Sequence, residues 1–186
     1  MPSSDRMQTR SRLHGSIVFL TGFMASGKTH FGRRLARELS IPFHDLDAVL
    51  EAGQGKSISS IFHDDGEDRF RMLERQALEG LVASIRATGA HTGAVVATGG
   101  GAACHDDNMA WMNTQGVTVW LDPPFEVLLA RLSAETGKRP LVNGLSGQAL
   151  ETAVRMRMEA RAPFYRMAQI HIPEADPDPA DWLTQP

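Results

Sequence analysis

Two glycines, a lysine and a threonine stand at fixed spacing in GFMASGKTH, residues 22–30, where Gly22, Gly27, Lys28 and Thr29 satisfy G-x-x-x-x-G-K-[ST]. The apolar run Ile17 to Leu20 precedes them and the helix-like FGRRLARELS comes after. In that context the pattern has a mechanism: the glycines let the backbone wrap so that successive N–H groups face phosphate oxygens, and the helix N-terminus adds partial positive charge. Ala25, Ser26 and His30 lie on the same wrap and complete the phosphate-binding set. Lys28 is long enough to reach β- and γ-phosphates, and the hydroxyl of Thr29 suits Mg²⁺. The ligand this chemistry predicts is a nucleoside triphosphate with its Mg²⁺.

Residues just after other strand candidates are the next place to look, because ligands of open α/β sheets gather beyond the carboxyl ends of the strands. In HDLDAV, Asp45 and Asp47 are two apart and point the same way in an extended segment, so one can support the metal while the other accepts a proton from a hydroxyl. An Asx turn or a helix N-cap explains the same pair. Thr98-Gly99-Gly100-Gly101 places three glycines in a row, which fits either a close approach of backbone to ligand or a plain turn. Arg71 and Glu74, three apart on a helix, suit a guanidinium oriented by a carboxylate or an ordinary solvated pair. Arg161 in RAPFY and Arg139 in KRPL are candidates for anion contacts, with surface charge as the alternative. Cys104 reads as a buried structural thiol that could also border the glycine run.

Positioning these residues requires strands that alternate with helices. Strands are expected at Ile17–Leu20, Ile41–His44, in AVVATGGG, in VTVWLD and in AQIHI. Helical patterns fall near residues 32–39, 46–52 and 57–63, then from Glu67 through Ile85, at 106–113, at 124–132 and from Gln148 to a kink or end at Pro163. Trp182 marks a short helix near the C-terminus. This alternation implies right-handed crossovers and a parallel sheet covered on both faces. Residues 133–147, with three glycines and little periodicity, read as a long lid-like loop.

The chain has 186 residues, enough for one domain with a full core. A net charge of −3 gives no basic footprint for nucleic acid. One cysteine rules out an internal disulfide, and no apolar stretch is long enough for a membrane span, so we expect a cytoplasmic protein without membrane contact. Residues 1–15 lack the apolar region of a secretory signal and read as a disordered tail.

In their order along residues 16–172, these segments resemble shikimate kinases: GxxxxGK[ST], the Asp45–Asp47 pair, S-I-x-x-I-F with G-E-x-x-F-R-x-x-E over residues 57–74, TGGG at 98–101, R-P-L at 139–141 and R-A-P-x-Y at 161–165. The resemblance implies a P-loop, nucleoside monophosphate kinase-like fold, three-layer α/β/α with five parallel strands, as a single domain over residues 16–186 with its lid. It implies transfer of the γ-phosphoryl of ATP to the 3-hydroxyl of shikimate, giving shikimate 3-phosphate and ADP on the chorismate route. On the matching positions, Thr29 binds Mg²⁺ directly and Asp45 supports it through water. Asp47 binds ring hydroxyls and serves as base, Arg71 and Arg161 hold the carboxylate, and Gly99, Gly100 and Gly101 approach the substrate. Arg139 descends with the lid onto the phosphates, acting with Lys28 on the migrating group.

Two positions depart from the pattern. His30 stands where the family commonly has Ser or Thr, and the C-terminal loop PEADPDPA offers no arginine for the adenine, which leaves Arg131 open between stacking on the base and a surface role. Partners are expected to be shikimate and ATP alone, with the protein a monomer. Kinases of another small acid such as gluconate share loop and fold. Shikimate-kinase-like sensor domains of transcriptional regulators sit behind a DNA-binding region, whereas about fifteen residues precede the first strand here.

Overall fold

The computed structural model describes residue 13 and residues 15–89, 93–134 and 144–183. β1 (Ile17–Thr21) is buried at every position, as its continuous apolar run requires for a central strand. α1 (Lys28–Leu39) starts earlier than the apolar spacing from Gly32 predicts, because Gly27, with φ 94°, turns the chain straight from the glycine loop into helix. Its buried stripe is Phe31, Leu35, Ala36 and Leu39. β2 (Phe43–Asp45) leads without a loop into α2 (Leu46–Gln54). α3 (Ile58–Ala87) contains one non-helical residue, Gly66, with φ 79° and ψ 172°, so the two helices expected around residues 57–63 and from Glu67 are present and meet there.

Further on come β3 (Ala94–Ala97), a 3₁₀ turn at Ala102–Cys104, α4 (Asn108–Gln115), β4 (Val117–Leu121) and α5 (Phe125–Ala134). The chain ends with α6 (Gly147–Tyr165), β5 (Ile170–Ile172) and α7 (Pro179–Trp182). Pro163 does not end α6; two more residues stay helical before the chain turns at Arg166. Residues 135–143 of the expected lid, Arg139 among them, lie outside the described residues.

The five strands form one parallel sheet in the order β2-β3-β1-β4-β5. Alternate residues of β1 point to opposite faces. Ile17 and Phe19 pack with Leu78, Val82, Met112 and Leu128 on one side. Val18 and Leu20 pack with Phe31, Leu35 and Trp182 on the other, so both faces are covered as expected. Leu13 also belongs to this second cluster at 1 % exposure. It lies within the stretch expected to be a disordered tail, and the reason for the difference is plain: a leucine next to the sheet finds an apolar surface. Among the described residues no helix is long and apolar enough to cross a membrane.

Strand register brings three chemistry-bearing segments level with one another. Ala97 lies opposite both Leu20 of β1 and Asp45 of β2. The glycine loop, the TGGG run and the aspartate pair therefore leave the sheet from one row at its carboxyl edge.

Candidate active site

Gly22, with φ 133°, opens the loop, and a Cβ there would lie 2.4 Å from the carbonyl oxygen of Leu121, so both conformation and space demand glycine. Ala25 takes the left-handed conformation as well, with φ 62°. The buried Lys28 ammonium donates to the carbonyls of Gly22 (2.9 Å) and Phe23 (2.8 Å) and to Ser26 Oγ (3.3 Å). Its charge is thus held inside the ring of the loop, and exposed His30 stands at the loop's rim.

Thr29 Oγ1 donates to Asp45 Oδ2 at 2.9 Å, while Asp45 Oδ1 accepts from the backbone N–H of Asp47 at 3.2 Å and caps α2. The cap reading of the aspartate pair is thus realised at Asp45, whose other carboxylate oxygen meets Thr29. The hydroxyl and carboxylate oxygens brought together here are the hard donors that Mg²⁺ takes. Capping also swings Asp47 into the first turn of α2, where it is exposed at the mouth between loop and TGGG run.

The three glycines are each crowded by their neighbours. A Cβ on Gly99 would sit 2.6 Å from Glu74 Oε1 and 2.9 Å from Asp47 Oδ1; on Gly100, 3.0 Å from the backbone N of Met24; on Gly101, 2.6 Å from Arg71 Nη2. Packing against these protein neighbours is thus one reason for three glycines in a row. Thr98 anchors it, donating through N and Oγ1 to the carbonyl of Leu20.

Arg71 and Glu74 are not a solvated pair: their side chains are 9 % and 2 % exposed, and Nη1 meets Oε2 at 2.8 Å. Glu67 adds a second contact at 3.0 Å, and the guanidinium lies 4.9 Å from the Phe70 ring centroid. Burial pushes the Glu74 carboxyl above its ordinary range, and Arg71 opposes that shift. Burial likewise works against the charge on Arg71, but Glu74 and Glu67 outweigh it and hold the guanidinium firmly protonated. Among the described residues Arg71 Nε and Glu74 Oε1 are buried without a hydrogen-bond partner, so the pair retains unused donor and acceptor capacity. From α6, Arg161 reaches over the Phe23 ring and donates to the carbonyl of Gly100 at 3.3 Å. Cys104 is partly buried against the core, with its thiol pKa raised by burial.

Two adjoining cavities result. The larger, about 560 Å³, is lined by the phosphate loop from Met24 to Phe31 with Asp45, Asp47 and Arg131. The smaller, about 300 Å³, holds Arg71, Glu74, Arg161, Gly99 and Gly101. Met24, Asp47 and Gly100 line both. Arg131 is no free surface residue: it donates to Ala25 O (3.0 Å) and Ala175 O (2.8 Å), tying the phosphate loop to the C-terminal loop. Sequence reasoning missed Ala175 and Pro177 in the larger cavity and Glu51, Phe62 and Phe70 in the smaller. The motifs S-I-x-x-I-F and G-E-x-x-F-R-x-x-E contained Phe62 and Phe70, and the loop PEADPDPA contained Ala175 and Pro177, but nothing local marked Glu51.

Fold and site together define a P-loop kinase whose second cavity is lined by arginines and carboxylates. The family model for shikimate kinase matches residues 24–185. A shikimate kinase of Bacteroides fragilis is 42% identical over 151 residues, which cover 81% of this chain and 80% of that one. The crystal structure of shikimate kinase from Bacteroides thetaiotaomicron matches with TM-score 0.79 at 36% identity, over 91% of this chain and 94% of that one. The shikimate kinase from Acinetobacter baumannii in complex with shikimate matches with TM-score 0.79 at 31% identity, over 94% and 92% of the two chains. The chain belongs to the shikimate kinase family.

Proposed function

We propose that this protein transfers the γ-phosphoryl group of ATP to the 3-hydroxyl of shikimate, releasing ADP and shikimate 3-phosphate. The observation that carries the reading is the meeting of the two cavities at Asp47 and Gly100. A phosphate loop lies on one side of that seam and two arginines on the other. The Acinetobacter relative's complex with shikimate supports the acceptor.

ATP occupies the larger cavity, its phosphates received by the backbone of residues 22–30 and the Lys28 ammonium, with Arg131 beside the base. Shikimate occupies the smaller, its carboxylate gripped by Arg71 and Arg161; paired N–H donors from a planar guanidinium fix orientation as well as presence. Asp47 takes the proton of the 3-hydroxyl as that oxygen bonds to the γ-phosphorus and the bond to the bridging oxygen of ADP breaks. Thr29 and Asp45 hold Mg²⁺, which when bound supplies positive charge to the phosphate oxygens. Arg139 is assigned to the phosphates on the resemblance alone. Positioning and charge are most of what such a reaction asks of the protein.

ADP release should be followed with ATP and Mg²⁺ and with shikimate, gluconate or no acceptor in parallel. Turnover is expected with shikimate only. Turnover with gluconate instead refutes the arginine grip on shikimate, and ATP binding without turnover on any acceptor favours a sensor domain.

A further inference from the structure

The glycine run after β3 forms one wall of the smaller cavity, and α3, which carries Arg71 and Glu74, forms another. Thr98 ties the start of the run to β1, and the Tyr165 hydroxyl donates to the carbonyl of Gly100 from α6. The far end of the run passes into the 3₁₀ turn at Ala102–Cys104, whose N–H groups return to it: Ala102 N donates to Gly99 O at 3.2 Å and Cys104 N to Gly101 O at 2.9 Å. Run and turn are thus one bonded piece. A side chain with no role above fastens that piece to α3. Asn108, 2 % exposed at the start of α4, donates through Nδ2 to the carbonyl of Ala102 at 2.8 Å and accepts at Oδ1 from Arg75 Nη1. Arg75 stands on α3 one turn beyond Arg71 and next to Glu74.

The link can run only one way. A guanidinium donates and never accepts, a carbonyl accepts and never donates, so an amide between them must turn its oxygen to Arg75 and its nitrogen to Ala102. Arg75 is itself held in place: Nη1 also meets Asp107 Oδ1 at 2.9 Å, Nε meets Glu79 Oε1 at 2.6 Å, and the guanidinium lies 4.7 Å from the Trp111 ring centroid. Asp107 is the N-cap of α4, yet among the described residues its carboxylate meets Arg75 rather than a helix N–H. Asp106 before it adopts φ 46°, a left-handed conformation uncommon outside glycine. The turn thus forgoes a cap and takes a less favoured backbone where it delivers Asn108 to Arg75. We infer that Asn108 is a positioning residue for the acid acceptor: through Ala102 on one side and Arg75 on the other, it sets the spacing between the glycine run and the Arg71–Glu74 pair. This rests on the reading of the smaller cavity as the acid's site. Among the described residues the lining of the larger cavity includes neither Asn108 nor Arg75, so loss of the link should be felt by the acceptor and not by ATP.

The test compares wild type, Asn108→Ala, Arg75→Met, the double variant and Arg86→Ala by calorimetric titration with shikimate and by KM for shikimate and for ATP, with urea unfolding to show that each is folded. Arg86 is the control for bracing in general: it also ties α3 to α4, donating to Gln115 O at 3.3 Å, but at the other end of α4. Asn108→Ala should weaken shikimate binding and raise its KM about 5- to 30-fold, and Arg75→Met about 3- to 10-fold, the scale of one buried or partly buried hydrogen bond. KM for ATP should stay within about 2-fold throughout, and Arg86→Ala should bind shikimate as wild type does. The double variant should be no worse than Asn108→Ala, because both substitutions break the same link. Unchanged shikimate binding in a folded Asn108→Ala, parallel rises in both KM values, an equal loss in Arg86→Ala, or losses that simply multiply in the double variant overturns the inference. Should Asn108→Ala fail to fold, Arg75→Met, at a side chain 22 % exposed, carries the test, and unchanged shikimate binding there overturns the inference. Wild type that phosphorylates shikimate beside unaffected variants overturns this inference alone; wild type that neither binds nor phosphorylates shikimate overturns the underlying reading and this one with it.

Discussion

Gly101→Ala isolates the arginine grip. Gly101 has φ −106° and ψ −13°, a conformation open to any residue, so an alanine there suffers no backbone strain. Its cost is steric. The new methyl would lie 2.6 Å from Arg71 Nη2, 2.7 Å from Nη1 and 2.9 Å from Cζ, all inside ordinary van der Waals contact. Because the obstacle is the end of a side chain, the guanidinium yields and the fold survives, but Arg71 must move by about 1 Å, a displacement that can cost on the order of 100-fold in a positioned site. Losing charge-assisted hydrogen bonds worth about 1.5–3 kcal/mol gives the same scale, a rise of about 10- to 150-fold in KM for shikimate. KM for ATP should be unchanged. The control is Gly80→Ala on α3, the helix that carries Arg71, where an added Cβ meets nothing within 4 Å. That variant should gain about 0.5–1 kcal/mol of stability in urea unfolding and keep wild-type kinetics. A folded Gly101→Ala enzyme with unaltered KM for shikimate refutes the assignment of Arg71 to the acceptor.

Asp47→Asn should retain ATP binding by calorimetry while kcat falls about 10²- to 10⁴-fold; near-normal kcat removes Asp47 from the base role. Glu74→Gln tests the buried pair through pH. Burial raises the Glu74 carboxyl above the ordinary 4.5, so the folded state binds that proton more tightly than the unfolded chain. Wild-type stability therefore has a component that falls as pH rises from the ordinary value through the raised one, and Glu74→Gln lacks it. Urea unfolding across that interval should show the variant gaining on wild type as pH rises; a flat difference means that Arg71 holds Glu74 at its ordinary value.

Legibility tracks the range of the interactions. The phosphate loop and the alternation of strands and helices can be read because glycine spacing and apolar runs are local signals. At Asp45 the sequence cannot show that the carboxylate has two oxygens facing two ways, one capping α2 and one meeting Thr29. The Arg71–Glu74 spacing is visible, but its burial depends on the TGGG run laid over it from β3, a contact between distant segments. Arg131 illustrates the same limit, its two acceptors being 106 and 44 residues away. Tyr165 is visible only as the last letter of a motif, with its partner 65 residues off. Leu13 escapes notice because one apolar residue among arginines and serines carries no periodicity.

The row formed by Asp45, Ala97 and Leu20 acts as a ruler. Neighbouring strands lie about 4.8 Å apart, a spacing set by backbone hydrogen bonds and indifferent to side chains. Donor and acceptor loops that rise from adjacent strands inherit that separation, so the distance a phosphoryl group must travel is built into the sheet. Apart from Met24 and the glycine run after β3, the walls of the smaller cavity come from α2, α3 and α6, which can be altered without disturbing it. Acceptor preference is thus free to diverge while the transfer distance stays constant, and redesign of this protein toward another small acid should begin on those helices and leave the strand row alone.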